Sequence, residues 1–198
     1  MPHTALTTIR AEHQALAAVL RSLTLLLAHY RRHAQPPDFG LLRAMLFYID
    51  EFPERLHHRK ETELLFPPLR ARCPELGAVL DRLDNDHDAG EQAIRTLEHA
   101  LLAYEVMGES RRDEFETQAS RYADFYLQHM SVEEQQVLPA AATRLTEEEW
   151  ARLDAAFEAH RDPLVARAAG REPDAAYFPL WSRIVLQAPA PIGLGPSV

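Results

Sequence analysis

Cysteine is almost missing from this chain: Cys73 is the only one in 198 residues. A single thiol excludes an intramolecular disulfide and fits a reducing compartment, so the cytoplasm is the expected location. Glycine is scarce at 7 residues while Leu, Ala, Glu and Arg abound, a balance that favours helix over strand. Positive charge is in deficit, with 21 Lys and Arg against 30 Asp and Glu, a formal net charge of −9. A phosphate backbone is bound by a basic surface, so nucleic acid is not an expected partner. A clean apolar run is missing too. The best candidate, Ala15 to Ala28, is interrupted by Arg21 and preceded by Glu12 and His13 where a signal peptide would be basic, so no membrane association is expected. What remains, 46% hydrophobic and 26% charged residues, is ordinary for a soluble globule with one core and a short appendage.

What the chain does have is a repeated polar motif. His57-His58-Arg59-Lys60-Glu61 is echoed by His129-Met130-Ser131-Val132-Glu133, and a proline, Pro67 or Pro139, follows each leading histidine by ten positions. Positions i and i+4 share one face of a helix, so each motif aims an imidazole and a carboxylate at one point. A lone histidine precedes each at a similar remove: His13 lies 44 positions before His57, and His87 lies 42 before His129. The chain thus reads as two similar helix pairs.

Apolar residues three and four apart predict helices from about Thr8 (or Ala5) to His33, Phe39 to Arg72, Glu75 to Met107 and Arg111 to Thr143. His13, His57, Glu61, Gly90, His87, His129 and Glu133 occupy seam positions. Pro53 and Pro67-Pro68 predict a kink or interruption in the second helix, Gly108 a C-cap and Ser110 an N-cap. Thr146 with Glu149 predicts a capping box opening a shorter helix to about His160. The expected organisation is a bundle with its short fifth helix over residues 1–165, then an extended tail over 166–198 lying along it. Short turns between long helices predict antiparallel neighbours, hence an all-α, up-down-up-down four-helix bundle. Counted from the turns at Pro37, Pro74 and Gly108, the four histidines and two glutamates lie within about four residues of one depth, about 6 Å at 1.5 Å per residue.

A lone histidine in an apolar seam is usually a core residue satisfied by one hydrogen bond. Four histidines and two glutamates in one layer are different, because two buried carboxylates need compensating cations and no Lys or Arg occupies the seam at that depth. Metal ions would compensate them. His13, His57, Glu61, His87, His129 and Glu133 are therefore the expected ligands of a two-metal site. His58 points about 100° away from His57 around an ideal helix; it and Glu91, one turn after His87, are left open as ligands or neighbours of ligands. His3, His29, His33 and His99 are expected off the site, and His160 structural.

At these residues the sequence resembles the hemerythrin-like HHE cation-binding family: His13, then His57-x-x-x-Glu61 running into Leu65-Phe66-Pro67, then Asp86-His87, then His129-x-x-x-Glu133, over roughly residues 8 to 142. The resemblance implies an oxo- or hydroxo-bridged centre of two iron ions in a four-helix bundle, with His13 and His57 on one ion, His87 and His129 on the other, and Glu61 and Glu133 bridging. The oxygen-carrying members have a further histidine where this chain has Glu91, and an aspartate five residues after the last histidine where this chain has Glu133 after four. Simple oxygen transport is therefore not the expected role. Counting two nitrogens, two carboxylate oxygens and the bridge leaves each ion about five ligands and one exchangeable place, unless His58 or Glu91 fills it. The expected function is a di-iron protein that binds or senses oxygen, nitric oxide or reactive oxygen species. An oxidoreductase consuming peroxide or nitric oxide, and a metal buffer, are the alternatives. Manganese or zinc would also suit these ligands.

Overall fold

The three-and-four spacing folds as helix. In a computed structural model, which describes residues 3–159, 162–168 and 174–195, the chain is helical, with no strand among the described residues. The first helix, α1 (Thr4–Arg32), buries Leu6, Ile9, His13, Leu16, Leu20, Leu23 and Leu27 along one face. Asp38 opens the next, its carboxylate accepting from the Leu41 amide at 2.9 Å.

The second helical run extends unbroken to Arg72, but not all of it is α-helix. After α2 (Phe39–Ile49) come a π-helical stretch (Asp50–His57), one α turn (α3, His58–Lys60), a second π stretch (Glu61–Leu65) and α4 (Phe66–Arg72). The prolines supply the reason. Each lacks an amide hydrogen, and its ring crowds the carbonyl four residues back, so the chain widens into i→i+5 bonding rather than kinking sharply. Pro53 lies inside the first π stretch, and Pro67 sits in the first turn of α4, directly after the second.

After a single 3₁₀ turn (Pro74–Leu76), α5 (Gly77–Met107) runs to Gly108, whose φ of 77° is open to glycine and strained for other residues. Ser110 is not the expected N-cap. Gly108–Arg111 continues as a 3₁₀ turn, and α6 (Arg112–Val132) begins without a side-chain cap. The chain then repeats the earlier device: a π stretch (Glu133–Val137), then α7 (Leu138–Arg144) with Pro139 in its first turn. The capping box is present ahead of α8 (Glu147–Ala159): the Thr146 amide donates to Glu149 Oε2 at 2.8 Å, and the Glu149 amide to Thr146 Oγ1 at 3.3 Å.

α1 lies against α2 and α6, and α5 against the same two, which closes a ring of helices. Inside it the apolar core is split. One cluster gathers Leu20, Leu42, Leu97 and Phe115; another gathers Ile9, Phe66, Leu83, Val137 and Trp150. On all four helical runs the residues between these clusters are the His and Glu singled out above. The polar layer is therefore walled by hydrocarbon on both sides, and α8 packs Phe157 against the His57 ring at 5.7 Å between centroids.

The C-terminal region corrects the expected extended tail. It contains α9 (Pro163–Ala168) and α10 (Phe178–Gln187), which packs on α2. Trp181 and Ile184, three apart on one helix face, enter the main core; Pro179 is harmless because it falls in the first turn. Beyond α10 the chain folds back, and the Ser22 hydroxyl donates to the Pro189 carbonyl at 3.0 Å. His160 lies outside the described residues. Trp181 is 6% exposed, so Trp181→Ala is expected to cost about 3–5 kcal/mol in urea unfolding, the usual penalty for emptying a packed aromatic site. A loosely attached appendage would lose under about 1 kcal/mol.

Candidate metal centre

Each residue type in the layer has a helix-geometric reason to be there. His57 with Glu61, and His129 with Glu133, stand one turn apart as their spacing requires, and each carboxylate begins a π stretch. His13 arrives from α1 and His87 from α5. All six are buried, with Glu61, His129 and Glu133 at 0% exposure. They form two groups whose ligand-capable atoms lie within 4.8 Å of one another: His13, His57 and Glu61, and Glu61, His87, His129 and Glu133.

The imidazoles share one orientation. His57 Nδ1 donates to Glu12 at 2.6 Å, His13 Nδ1 lies 3.2 Å from Glu134, and His129 Nδ1 lies 3.4 Å from Asp86. His87 Nδ1 donates to the Thr62 hydroxyl at 2.9 Å, which passes its own proton to Asp84 at 2.9 Å. With Nδ1 engaged outward, each Nε2 faces the interior. There Glu61 sets Oε1 3.3 Å from His57 Nε2 and Oε2 3.6 Å from His87 Nε2. Glu133 sets Oε2 3.3 Å from His13 Nε2 and Oε1 3.3 Å from His129 Nε2. Each carboxylate thus presents one oxygen to each group.

None of the four carboxylate oxygens has a hydrogen-bond partner, nor does Nε2 of His13 or His57. Buried polar atoms are rarely left this way, because each costs about 1–3 kcal/mol. His87 and His129 bring their Nε2 atoms within 3.1 Å of each other. Outward-anchored imidazoles, inward nitrogens and unsatisfied carboxylates are the donor set that cations require, with the supporting carboxylates that fix ligand histidines. The residues fit a pair of metal ions.

Protons provide the alternative compensation. Burial pushes His13 down, but Glu133 and Glu134 outweigh it and hold it at about 9. Burial likewise opposes His57 and His129, yet Glu61 and Glu12 lift the first and Glu133 the second above the ordinary imidazole range. Burial raises Glu61, and Glu133 adds to it; Glu133 itself is held well below the usual range by His129 and His13 despite its burial. His58 and His87 are driven down by burial and by neighbouring histidines. Metal binding displaces such protons. One amine does stand at this level: Lys60, whose Nζ lies 4.5 Å from the centroid of the Phe157 ring.

Several residues escaped the sequence reading. Glu12, Glu54, Thr62 and Glu134 orient histidines, and only Glu54-x-x-x-His58 had an i,i+4 signature to find. His58 is 3% exposed, not turned away, with Nδ1 3.1 Å from Glu54. Glu91 is exposed and pairs with Arg95, outside the cluster. Beside Glu54, Tyr122 donates to its carboxylate, and Tyr126 fills the space over Gly90. A Cβ at Gly90 would meet Tyr126 Oη at 1.6 Å, so Gly90→Ala is expected to destabilise by about 1–3 kcal/mol in urea unfolding through overpacking. A neutral result would mean that Tyr126 moves freely.

A cavity of about 10 Å³, bounded by His13, His57, Leu16 and Phe52 among others, has room for one water-sized molecule. A solvent cleft of about 340 Å³ passes Arg55, Arg59 and Asp88 to reach His58 and His87. No helix among the described residues is long and apolar enough to cross a membrane. No curated protein matches the chain. The hemerythrin HHE cation binding domain does, over residues 4–141. With the match covering every residue of this layer and most of the chain, the protein belongs to the hemerythrin HHE cation-binding family.

Proposed function

We propose that this protein is a non-haem di-iron protein that binds or senses oxygen, nitric oxide or reactive oxygen species, in the cytoplasm and within an up-down-up-down bundle. The observation that carries the reading is the set of buried ligand atoms without a hydrogen-bond partner: Nε2 of His13 and His57 and all four oxygens of Glu61 and Glu133. His13 and His57 would hold one ion and His87 and His129 the other, with Glu61 and Glu133 offering an oxygen to each. Paired iron, when bound, supplies reversible one-electron chemistry and exchangeable coordination positions.

The chain's own part is positional. Glu12, Glu134, Asp86 and the Thr62–Asp84 pair keep the four Nδ1 atoms occupied, so each imidazole turns its Nε2 inward and can offer that lone pair once any proton on it is displaced. The two apolar clusters keep bulk water from the layer, which strengthens every charge interaction inside it. The water-sized cavity beside His13 and His57 restricts what can approach to small molecules such as a diatomic gas or peroxide. The cleft reaching His58 and His87 opens the other side of the layer to solvent.

The test is anaerobic loading with ferrous iron, followed by air, nitric oxide or peroxide while the near-ultraviolet and visible spectrum is recorded. A ligand-dependent charge-transfer band at two irons per chain is expected. Sustained peroxide or nitric oxide consumption with a reductant would move the protein to the oxidoreductase alternative. Bound iron with no response to any of the three would leave only metal buffering.

A further inference from the structure

His58 has no role in the arrangement just described, yet it is 3% exposed and aimed into the same layer. In a regular α-helix it would stand 100° from His57 and face elsewhere. Here that step carries it to the other side of the same buried layer rather than out of it. Through Asp50–His57 and again through Glu61–Leu65 the helix is widened, and two consecutive histidines both turn inward, to opposite sides. His57 faces His13, 5.1 Å away between ring centroids. His58 faces the other group, 4.3 Å from His87 and 5.5 Å from His129.

Three features mark His58 as more than a packing ring. Its ligand-capable atom lies within 4.8 Å of those of His87 and His129. Its Nδ1 is held from behind by a buried carboxylate, Glu54 at 3.1 Å, the support that Glu12 gives His57. With Nδ1 engaged, the nitrogen left for a metal is Nε2, as in the other four rings. The separations also suit a shared ion. Two imidazoles at right angles on one metal, with metal–nitrogen bonds of about 2.1 Å, place their centroids roughly 4.5 Å apart. The three pairs here measure 4.3, 4.8 and 5.5 Å; the last two pairs are inclined at 55° and 65°, while His58 and His87 are stacked at 11°, so the His58 ring must turn about its side-chain bonds to share the ion with His87.

We propose that His58 is a third histidine ligand of the ion held by His87 and His129, so that the centre is asymmetric, with three imidazoles on one ion and two on the other. The proposal rests on the two-metal reading above. It replaces the helix α5 position taken by Glu91, which is exposed and paired with Arg95, by a residue from the neighbouring helical run. The exchangeable place is then confined to the ion held by His13 and His57.

Zinc is a suitable diamagnetic probe. In ¹⁵N-labelled protein loaded with Zn²⁺, long-range ¹H–¹⁵N correlation distinguishes metal-bound Nε2 from free imidazole. Five of the ten histidines are expected to show Nδ1–H with a metal-bound Nε2, and His58→Ala should remove one set. By calorimetry His58→Ala should bind the first zinc as the wild type does and the second more than about 100-fold more weakly. Glu54→Gln should weaken that second step about 10–100-fold, as the loss of a ligand's supporting carboxylate does. Four metal-bound rings with two zinc ions bound would overturn the role of His58 and leave the two-metal reading standing. Five rings all retained in His58→Ala would do the same. Zinc binding that perturbs no ring of this layer would overturn both. If His58→Ala fails to fold, the count of rings in the wild type decides alone.

Discussion

Glu133→Ala is expected to abolish retention of both metal ions, not one. Glu133 is wholly buried and divides its two oxygens between the groups, Oε2 beside His13 and Oε1 beside His129. On the proposed two-ion reading, removing it would take one anionic donor from each ion at once. It also removes negative charge that each ion needs in a layer walled by hydrocarbon. Glu61→Ala should behave alike, since its oxygens are divided between His57 and His87. The loss in affinity should exceed about 100-fold, beyond the 10–100-fold typical of outer supporting groups. Glu134→Ala is the internal comparison: its side chain is 42% exposed and touches only the outer nitrogen of His13. It should weaken one ion modestly. Metal content after gel filtration reads all three variants. Two ions per chain in Glu133→Ala would mean that this carboxylate is not shared.

The second large effect is on the metal-free protein, whose stability should fall as pH rises from about 6.5 to 9. His13 is held at about 9 in the fold, against an ordinary value of 6.5. A group whose folded pKa is raised stabilises fully below its unfolded pKa, and that contribution is lost as pH climbs through the folded value. His57 and His129 shift in the same direction. Glu54, lifted to about 7 chiefly by burial, adds to the trend because its neutral form is the one the fold favours. Glu133 shifts oppositely but is ionised in both states across this window, so it contributes a constant. His13 alone is worth about 3 kcal/mol at 1.36 kcal/mol per pKa unit. Metal binding requires neutral imidazoles and should strengthen over the same range. The gap between metal-loaded and metal-free melting temperatures should therefore widen from pH 6.5 to 9. A metal-free protein equally stable at both ends would show that the histidines do not carry the compensating protons.

Much of this arrangement could be read in the sequence because it rests on helix periodicity. His57/Glu61 and His129/Glu133 are i,i+4 pairs, and counting from Pro37, Pro74 and Gly108 brought His13 and His87 to the same depth. The supporting carboxylates follow the same internal repeat, yet could not be read. Glu12 precedes His13 but serves His57 on the next run, and Asp86 precedes His87 but serves His129. Such pairings depend on the register between helices, which one sequence does not specify. His58 stayed open for a more local reason: a 100° step from His57 can lead out of the bundle or to the other side of the same layer, and only the packing of the helical runs shows that it does the second. At the C-terminus the apolar stretch of α10 is too short for its periodicity to stand out in the sequence, and only its packing on α2 shows it as helix.

The central claim is that Glu61 and Glu133 span two ions in one buried layer. Anomalous diffraction from crystals of the iron-loaded protein tests it most directly. The account predicts two peaks about 3–4 Å apart, one between His13 and His57 and the other between His87 and His129, with a glutamate oxygen on each. A single peak, or two that lie outside this layer, would contradict it.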